Sequence, residues 1–345
     1  MANTQKLHVT AAATDIHFGA KNNSIQHNED CIAYLHWFCE KVKANNIDNV
    51  IFMGDWFENR SALNISTLHY SYLGAKMLDD LGIPVFFIIG NHDLYHRHTR
   101  EIYSTIHFNE FKNFQVITEP TIINEIETSP LICPYLFPNE YGDLFQYSKT
   151  ATWWGHFEFQ GFVITGHSVK MPSGPDPKDF KGPKYIFSGH FHKRQKGHNI
   201  WYIGNTFPTN FGDAGDNERG MMIYDHISQE VDFYDWEECP QYIKTKVTTI
   251  LDGDIVIPVS ARVKCLLDIP LTFEEHTNLK NSLMDMYQLR EFTFEDEVDV
   301  TVLDVSTGID IDQLESVDEL VIRMLDGVDM ISIDNTTLIQ QYRRL

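Results

Sequence analysis

Apolar positions change their period along this chain of 345 residues, and the changes mark out its elements. Residues 9–13, 50–53, 84–89, 152–154 and 185–187 form short runs that are apolar almost throughout, the length and pattern of strands buried on both faces. Between the first three runs, residues 29–42 and 63–81 carry apolar side chains at helical spacing, with Ile32, Leu35, Trp37, Phe38 and Val42 on the first stretch. Residues 21–28 read as a polar loop. This β-α-β-α-β rhythm predicts an α/β domain whose sheet is covered on both faces. From 114 to 136, β-like runs broken by Pro and Asn predict a second sheet meeting the first. Residues 170–184, rich in Pro, Gly and Lys, read as a loop, and β runs continue to Trp236.

Past Glu237 a smaller module is expected, with β runs at 244–250 and 259–267, a helix over 273–289 and an acidic connector at 291–299. Two helical stretches close the chain, 311–325 and 336–345. The first has an apolar face of Leu314, Val317, Leu320, Val321, Met324 and Leu325. The expected domains are therefore 1–238, 239–300 and 301–345.

With 43% hydrophobic residues the chain can bury a sizeable core. A formal net charge of −22 excludes a generally basic nucleic-acid coat, because phosphate contacts need Lys and Arg. It leaves room for a nucleic-acid enzyme with a local cationic face. The candidates for that face are Lys178, Lys181, Lys184, Lys193, Arg194 and Lys196. Five scattered cysteines without a Cys-x-x-Cys pair predict reduced thiols. No leading apolar segment precedes the first strand, and no run approaches the ~18 apolar residues of a membrane span, so a cytoplasmic location is expected.

Each predicted strand of the larger domain stops on groups able to do chemistry. Their ends read Asp15-Ile16-His17, Gly54-Asp55, Gly90-Asn91-His92-Asp93, Gly155-His156 and Gly189-His190-Phe191-His192. Side chains two apart on an extended backbone leave from one face, so Asp15 with His17, and His190 with His192, can each reach one ion. A lone His at a strand end is ordinarily capped or solvent-facing; the repetition along the chain reverses those odds. The donors are oxygen and imidazole with no thiolate, which suits Mn²⁺, Fe²⁺ or Zn²⁺. Asp15, His17, Asp55, Asn91, His156, His190 and His192 together exceed what one tetrahedral ion takes, and two ions sharing a carboxylate fit. Ile164-Thr165-Gly166-His167 also ends in Gly-His, so His167 competes with His156 for the second ion. Trp153 and Trp154 read as core in preference to a stacking platform.

In this order the five motifs resemble the binuclear metallophosphoesterase superfamily. Asp15-Ile16-His17-Phe18-Gly19 and Gly90-Asn91-His92-Asp93, with the appended small domain, are similar to its SbcD-type DNA-repair branch. The segments 155–162 and 202–220 look most like the nuclease subunits of phage recombination endonucleases. The resemblance implies a four-layer α/β/β/α sandwich, a smaller α+β capping domain and a C-terminal helical tail. It gives Asp15, His17, Asp55 and His192 to one divalent ion, most simply Mn²⁺, and Asp55, Asn91, His156 and His190 to a second. It makes His92 the catalytic histidine, with Asp93 holding its ring; Lys193 and Arg194, which flank the last ligand motif, are expected from the charge pattern to contact DNA. Many relatives carry His where this chain has Glu58, so Glu58 is left out of the site. The activity implied is 3′-to-5′ exonuclease and endonuclease hydrolysis of DNA, beside an SbcC-type ABC ATPase whose coiled coil the tail would grip, in a homodimer. Two other readings use the same residues: a phosphoesterase for small diesters or phosphoproteins, and a non-catalytic scaffold subunit of an ATPase complex.

Overall fold

The computed structural model describes residues 6–164 and 169–296. His167 and the expected C-terminal helices lie outside the described residues. The chain builds two six-stranded sheets and a three-stranded one. The strands of the first sheet are β1 (Val9–Ala13), β2 (Asn49–Phe52), β3 (Val85–Ile88), β4 (Phe114–Ile117), β11 (Gly220–Asp225) and β12 (Val231–Asp235), in the order β12-β11-β1-β2-β3-β4. Those of the second are β5 (Thr121–Ile122), β6 (Leu131–Ile132), β7 (Thr152–Gly155), β8 (Tyr185–Ser188), β9 (Gln195–Gly197) and β10 (Ile200–Tyr202), in the order β5-β6-β7-β8-β10-β9. Neighbours from β1 to β4 run parallel, as do β6, β7, β8 and β10.

Side chains alternate between two cores, which is why the strand sequences are apolar throughout. Ala11, Val50, Phe52, Val85 and Phe87 face the helices Ile25–Ala44 and Ile65–Asp79, where they meet Tyr34, Leu35, Phe38, Ala75 and Leu78. Ala12, Ile51, Phe86 and Ile88 point the other way, into a core between the sheets shared with Trp154, Phe187 and Tyr224. Trp153 and Ile186 face a third core closed by Tyr141, Leu144 and Phe180. Both tryptophans are buried core residues. The layers are thus helices, sheet, sheet and an outer layer that, among the described residues, consists of loops and the 3-10 turns Tyr141–Tyr147 and Pro177–Asp179.

Four expectations of the fold need correction, the first being the β run at 244–250: the strand ends at Lys246 and Val247–Leu251 is helical. The first helix starts at Ile25 instead of Glu29, because Ser24 caps it by accepting from the His27 amide, and His27 and Asn28 are buried against the loop before it. Residues 114–117 belong to the edge of the first sheet, and the second begins only at Thr121. The acidic stretch is no connector: β15 (Glu291–Asp296) pairs parallel with β14 (Arg262–Leu267), beside β13 (Tyr242–Lys246). Its Phe292 is buried while Glu295 is exposed, a period-two pattern that the density of acids hid. With the helix Phe273–Tyr287 these three strands enclose a core of their own. Residues up to Asp296 nevertheless form one compact unit.

Candidate metal centre

β1, β2 and β3 from one sheet and β7 and β8 from the other end side by side, and their last residues meet. The turns that follow are tight: a Cβ on Gly90 would lie 2.2 Å from Asp55 Oδ1, and one on Gly54 2.7 Å from the backbone of Gly90. Only glycine lets these two loops approach so closely. Asp15, His17, Asp55 and His190 all adopt positive φ, between 53° and 88°, the local strain expected where a backbone is bent to aim side chains.

Two donor sets result. In the first, His17 Nε2 stands 3.1 Å from His192 Nε2, 3.8 Å from Asp15 Oδ1 and 4.0 Å from Asp55 Oδ2. In the second, His156 Nε2 stands 2.8 Å from Asn91 Oδ1 and 3.2 Å from Asp55 Oδ2, and His190 Nδ1 is 2.9 Å from the same Asn91 oxygen. Asp55 belongs to both. All seven predicted ligands therefore come together, with His156 in the place for which His167 competed.

The outer contacts fix which nitrogens are free. His156 Nδ1 donates to the Met53 carbonyl at 2.7 Å, and His190 Nε2 lies 3.1 Å from Glu158 Oε2, so in neutral rings the opposite nitrogens carry lone pairs aimed at Asn91 and Asp55. His17 Nδ1 is 2.9 Å from Glu58 Oε2, though not aligned for a good hydrogen bond, and its Nε2 faces inward. Acceptors converging on acceptors in a buried site are resolved by cations, and carboxylates or carbonyls behind imidazoles are the usual support of metal ligands. The donor set fits two divalent ions. Sequence reading left Glu58 out because many relatives carry His there, and missed Glu158 because it stands at no strand end; only the fold brings them behind His17 and His190.

Electrostatics agree. Burial opposes ionisation of Asp55, yet the imidazoles of His156, His92 and His17 hold its carboxyl well below the usual range. Burial likewise opposes a charge on His17 and His156, but Glu58, Asp55 and Asp15 raise His17 to about 9, and Asp55 and Asp15 raise His156 to about 9. The His17 imidazole beside it lowers Glu58 to about 2. Carboxylate charge of this density calls for compensating cations.

His92 is half-buried at the rim. Its amide donates to Asp55 Oδ1 at 2.7 Å and its Nδ1 to the Glu58 carbonyl at 2.7 Å, leaving Nε2 free. Asp93 does not hold that ring. Its buried carboxylate accepts the amides of Gly90, Asp55, Trp56 and Phe57 at 2.9 to 3.3 Å, tying the second and third loops together. The Asp93 side chain turns inward because four otherwise unpaired amides surround it there. Arg194 is also not a free contact: its guanidinium pairs with Asp235 at 2.8 Å and stacks on Phe233. Lys193 remains half-buried, with no ion pair among the described residues.

This centre and its double-sheet frame are those of a metallophosphoesterase, and residues 8–194 match the calcineurin-like phosphoesterase model, so the chain belongs to that family. Exonuclease subunit 1 of enterobacteria phage T4 is 29% identical over 198 residues, which cover 56% of this chain and 58% of that protein. The match thus spans little more than half the length of that relative. Among solved structures, TT1561 of Thermus thermophilus has a TM-score of 0.40 at 10% identity, covering 67% of this chain and 99% of the other. The Pseudomonas putida nuclease MPE has a TM-score of 0.30 at 14% identity, covering 66% and 87%.

Proposed function

We propose that this protein is a DNA exonuclease and endonuclease, the nuclease subunit of a recombination and repair complex, working with two Mn²⁺ ions. The observation that carries it is the convergence of seven donors on five strand ends into two sets that share Asp55. Asp15, His17, Asp55 and His192 would hold one ion, and Asp55, Asn91, His156 and His190 the other. Bound there, the ions supply Lewis acidity and an activated water. The protein's own part is to keep His17, His156 and His190 in the tautomers described and to place His92 at the rim. His92, with Nδ1–H anchored on Glu58, presents Nε2 to the sugar oxygen that departs; as imidazolium it stabilises the charge on that oxygen or gives it the Nε2 proton, and is left as the neutral ring.

The likeness to a phage exonuclease subunit supports DNA as substrate and a multisubunit setting. An SbcC-type ABC ATPase is the proposed partner. The residues expected to grip its coiled coil, 311–325, lie outside those described. The helix Ile65–Asp79 exposes Ile65, Leu68, Tyr72 and Leu73, an apolar stripe that supports pairing with a second copy. Five buried free thiols support a reducing, cytoplasmic setting, and no helix among the described residues is long and apolar enough to cross a membrane. Purified protein with Mn²⁺ should degrade linear DNA, and a chelator should abolish the activity. Cleavage of p-nitrophenyl or cyclic diesters alone would replace the proposal with a small-substrate phosphoesterase, and ATPase binding without hydrolysis with a scaffold.

A further inference from the structure

One turn of the first helix holds the backbone of the first metal loop on one side and the small domain on the other. On the inner side, buried His27 donates through Nε2 to the carbonyl of His17 at 2.9 Å, and Asn28 Oδ1 accepts the Gly19 amide at 2.8 Å. Cys31 Sγ reaches the Ile16 carbonyl at 3.4 Å. Residues 16, 17 and 19, which flank and include a ligand at positive φ, thus depend on residues 27, 28 and 31 for their place. On the outer side Asp30, itself only 6% exposed, lies with both oxygens 2.6 and 2.7 Å from Arg290 Nη1. Arg262 stands 3.9 Å from the same carboxylate and donates to Gln26 at 2.9 Å. Both arginines flank strands of the small sheet: Arg262 opens β14, and Arg290 immediately precedes β15.

We propose that Asp30 is a positioning residue for the first metal: through the helix turn 27–31, the grip of Arg290 and Arg262 sets where His17 Nε2 stands. The inference rests on the metal-centre reading and adds to it a task for the small domain, which would tune one ion of the pair and not the other. The strain at His17 supplies the energetic reason, because a loop held at positive φ relaxes when its supports loosen. Asp55, on the neighbouring strand's loop, is fastened by Asp93 and has no such link to the small domain among the contacts of the described residues.

The test is Mn²⁺ titration, by calorimetry and electron paramagnetic resonance, of the full-length protein in two backgrounds. His156→Ala leaves only the first ion's set intact, and His192→Ala leaves the second's. Arg290→Met and Asp30→Asn should each weaken Mn²⁺ binding about tenfold in the His156→Ala background and leave it unchanged in the His192→Ala background, the size typical of lost support behind a ligand. Arg290→Lys, which keeps the charge, should restore most of the affinity. Unchanged binding in both backgrounds, or equal loss in both, would overturn the proposal; the Arg290→Lys rescue separates positioning from loss of fold. A wild-type protein that takes up fewer than two Mn²⁺ would instead sink the metal-centre reading beneath it.

Discussion

The ring of His92 is anchored by the backbone carbonyl of Glu58, 2.7 Å from Nδ1, and not by its sequence neighbour Asp93. An anchor on the main chain of the β2 loop keeps His92 in step with Asp55, three residues earlier, whose carboxylate also accepts the His92 amide. His92 and Asp55 are therefore parts of one rigid unit.

Removing the donor should spare the metals. His92→Ala is expected to bind two Mn²⁺ with near wild-type affinity while turnover falls by roughly 10²–10⁴-fold. Asp55→Ala should lose both metal and activity. Single-turnover DNA cleavage alongside metal analysis separates the two, and a His92→Ala protein that still cuts at the normal rate would contradict the role.

Asp93 has a different fate, because its carboxylate serves four amides. Asp93→Asn turns donors toward donors, and we expect stability to drop by about 2 kcal/mol, the scale of buried amides left without an acceptor. Urea unfolding measures it. An Asp93→Asn protein as stable as the parent, impaired only in turnover, would return Asp93 to the orienting role that its position beside His92 suggests.

Glu58 and Glu158 stand behind His17 and His190, one histidine of each donor set. Glu58→Ala should weaken Mn²⁺ binding at the first donor set by about 10–100-fold and Glu158→Ala at the second by a similar factor, because each imidazole loses the carboxylate behind it. Titrations with Mn²⁺ should therefore show one altered and one unaltered constant in each variant. Two unaltered constants would mean that the rings are oriented by packing alone.

Far from the centre, His226 bridges Thr10 and Thr128 at 2.9 and 3.0 Å. Burial lowers it to about 4, with Asp225 opposing the shift and His8 adding to it. The folded value lies below the unfolded one, so the unfolded chain binds the extra proton first as pH falls. Full stability is present above about 6.5 and is lost progressively as pH falls toward 4, about 2 kcal/mol by pH 5 from this group. Chemical denaturation of His226→Gln should show a shallower loss between pH 6.5 and 5 than the wild type. Parallel curves would exclude His226 as a source of acid sensitivity.

The strand-ending motifs determined, without any coordinates, which seven side chains could meet. Apolar runs and helical spacing along 9–89 were enough to predict three strands of the first sheet and its two helices, but not the three strands that complete the sheet. Those signals are local: a strand that is apolar on both faces and stops at Gly-Asp states its own burial and its own polar end. Nonlocal contacts settled the rest. Asp93 faces inward because unpaired amides from a loop near residue 55 surround it. Glu58 and Glu158 back up His17 and His190 only because two sheets abut. Arg194 is taken by Asp235 and Phe233, far along the chain. Residues 291–296 form a strand because β14 offers an edge to pair with, which composition could not reveal. Sequence carries the side chains and their period, whereas the partner of a buried charge is chosen by whatever the folded chain brings within reach.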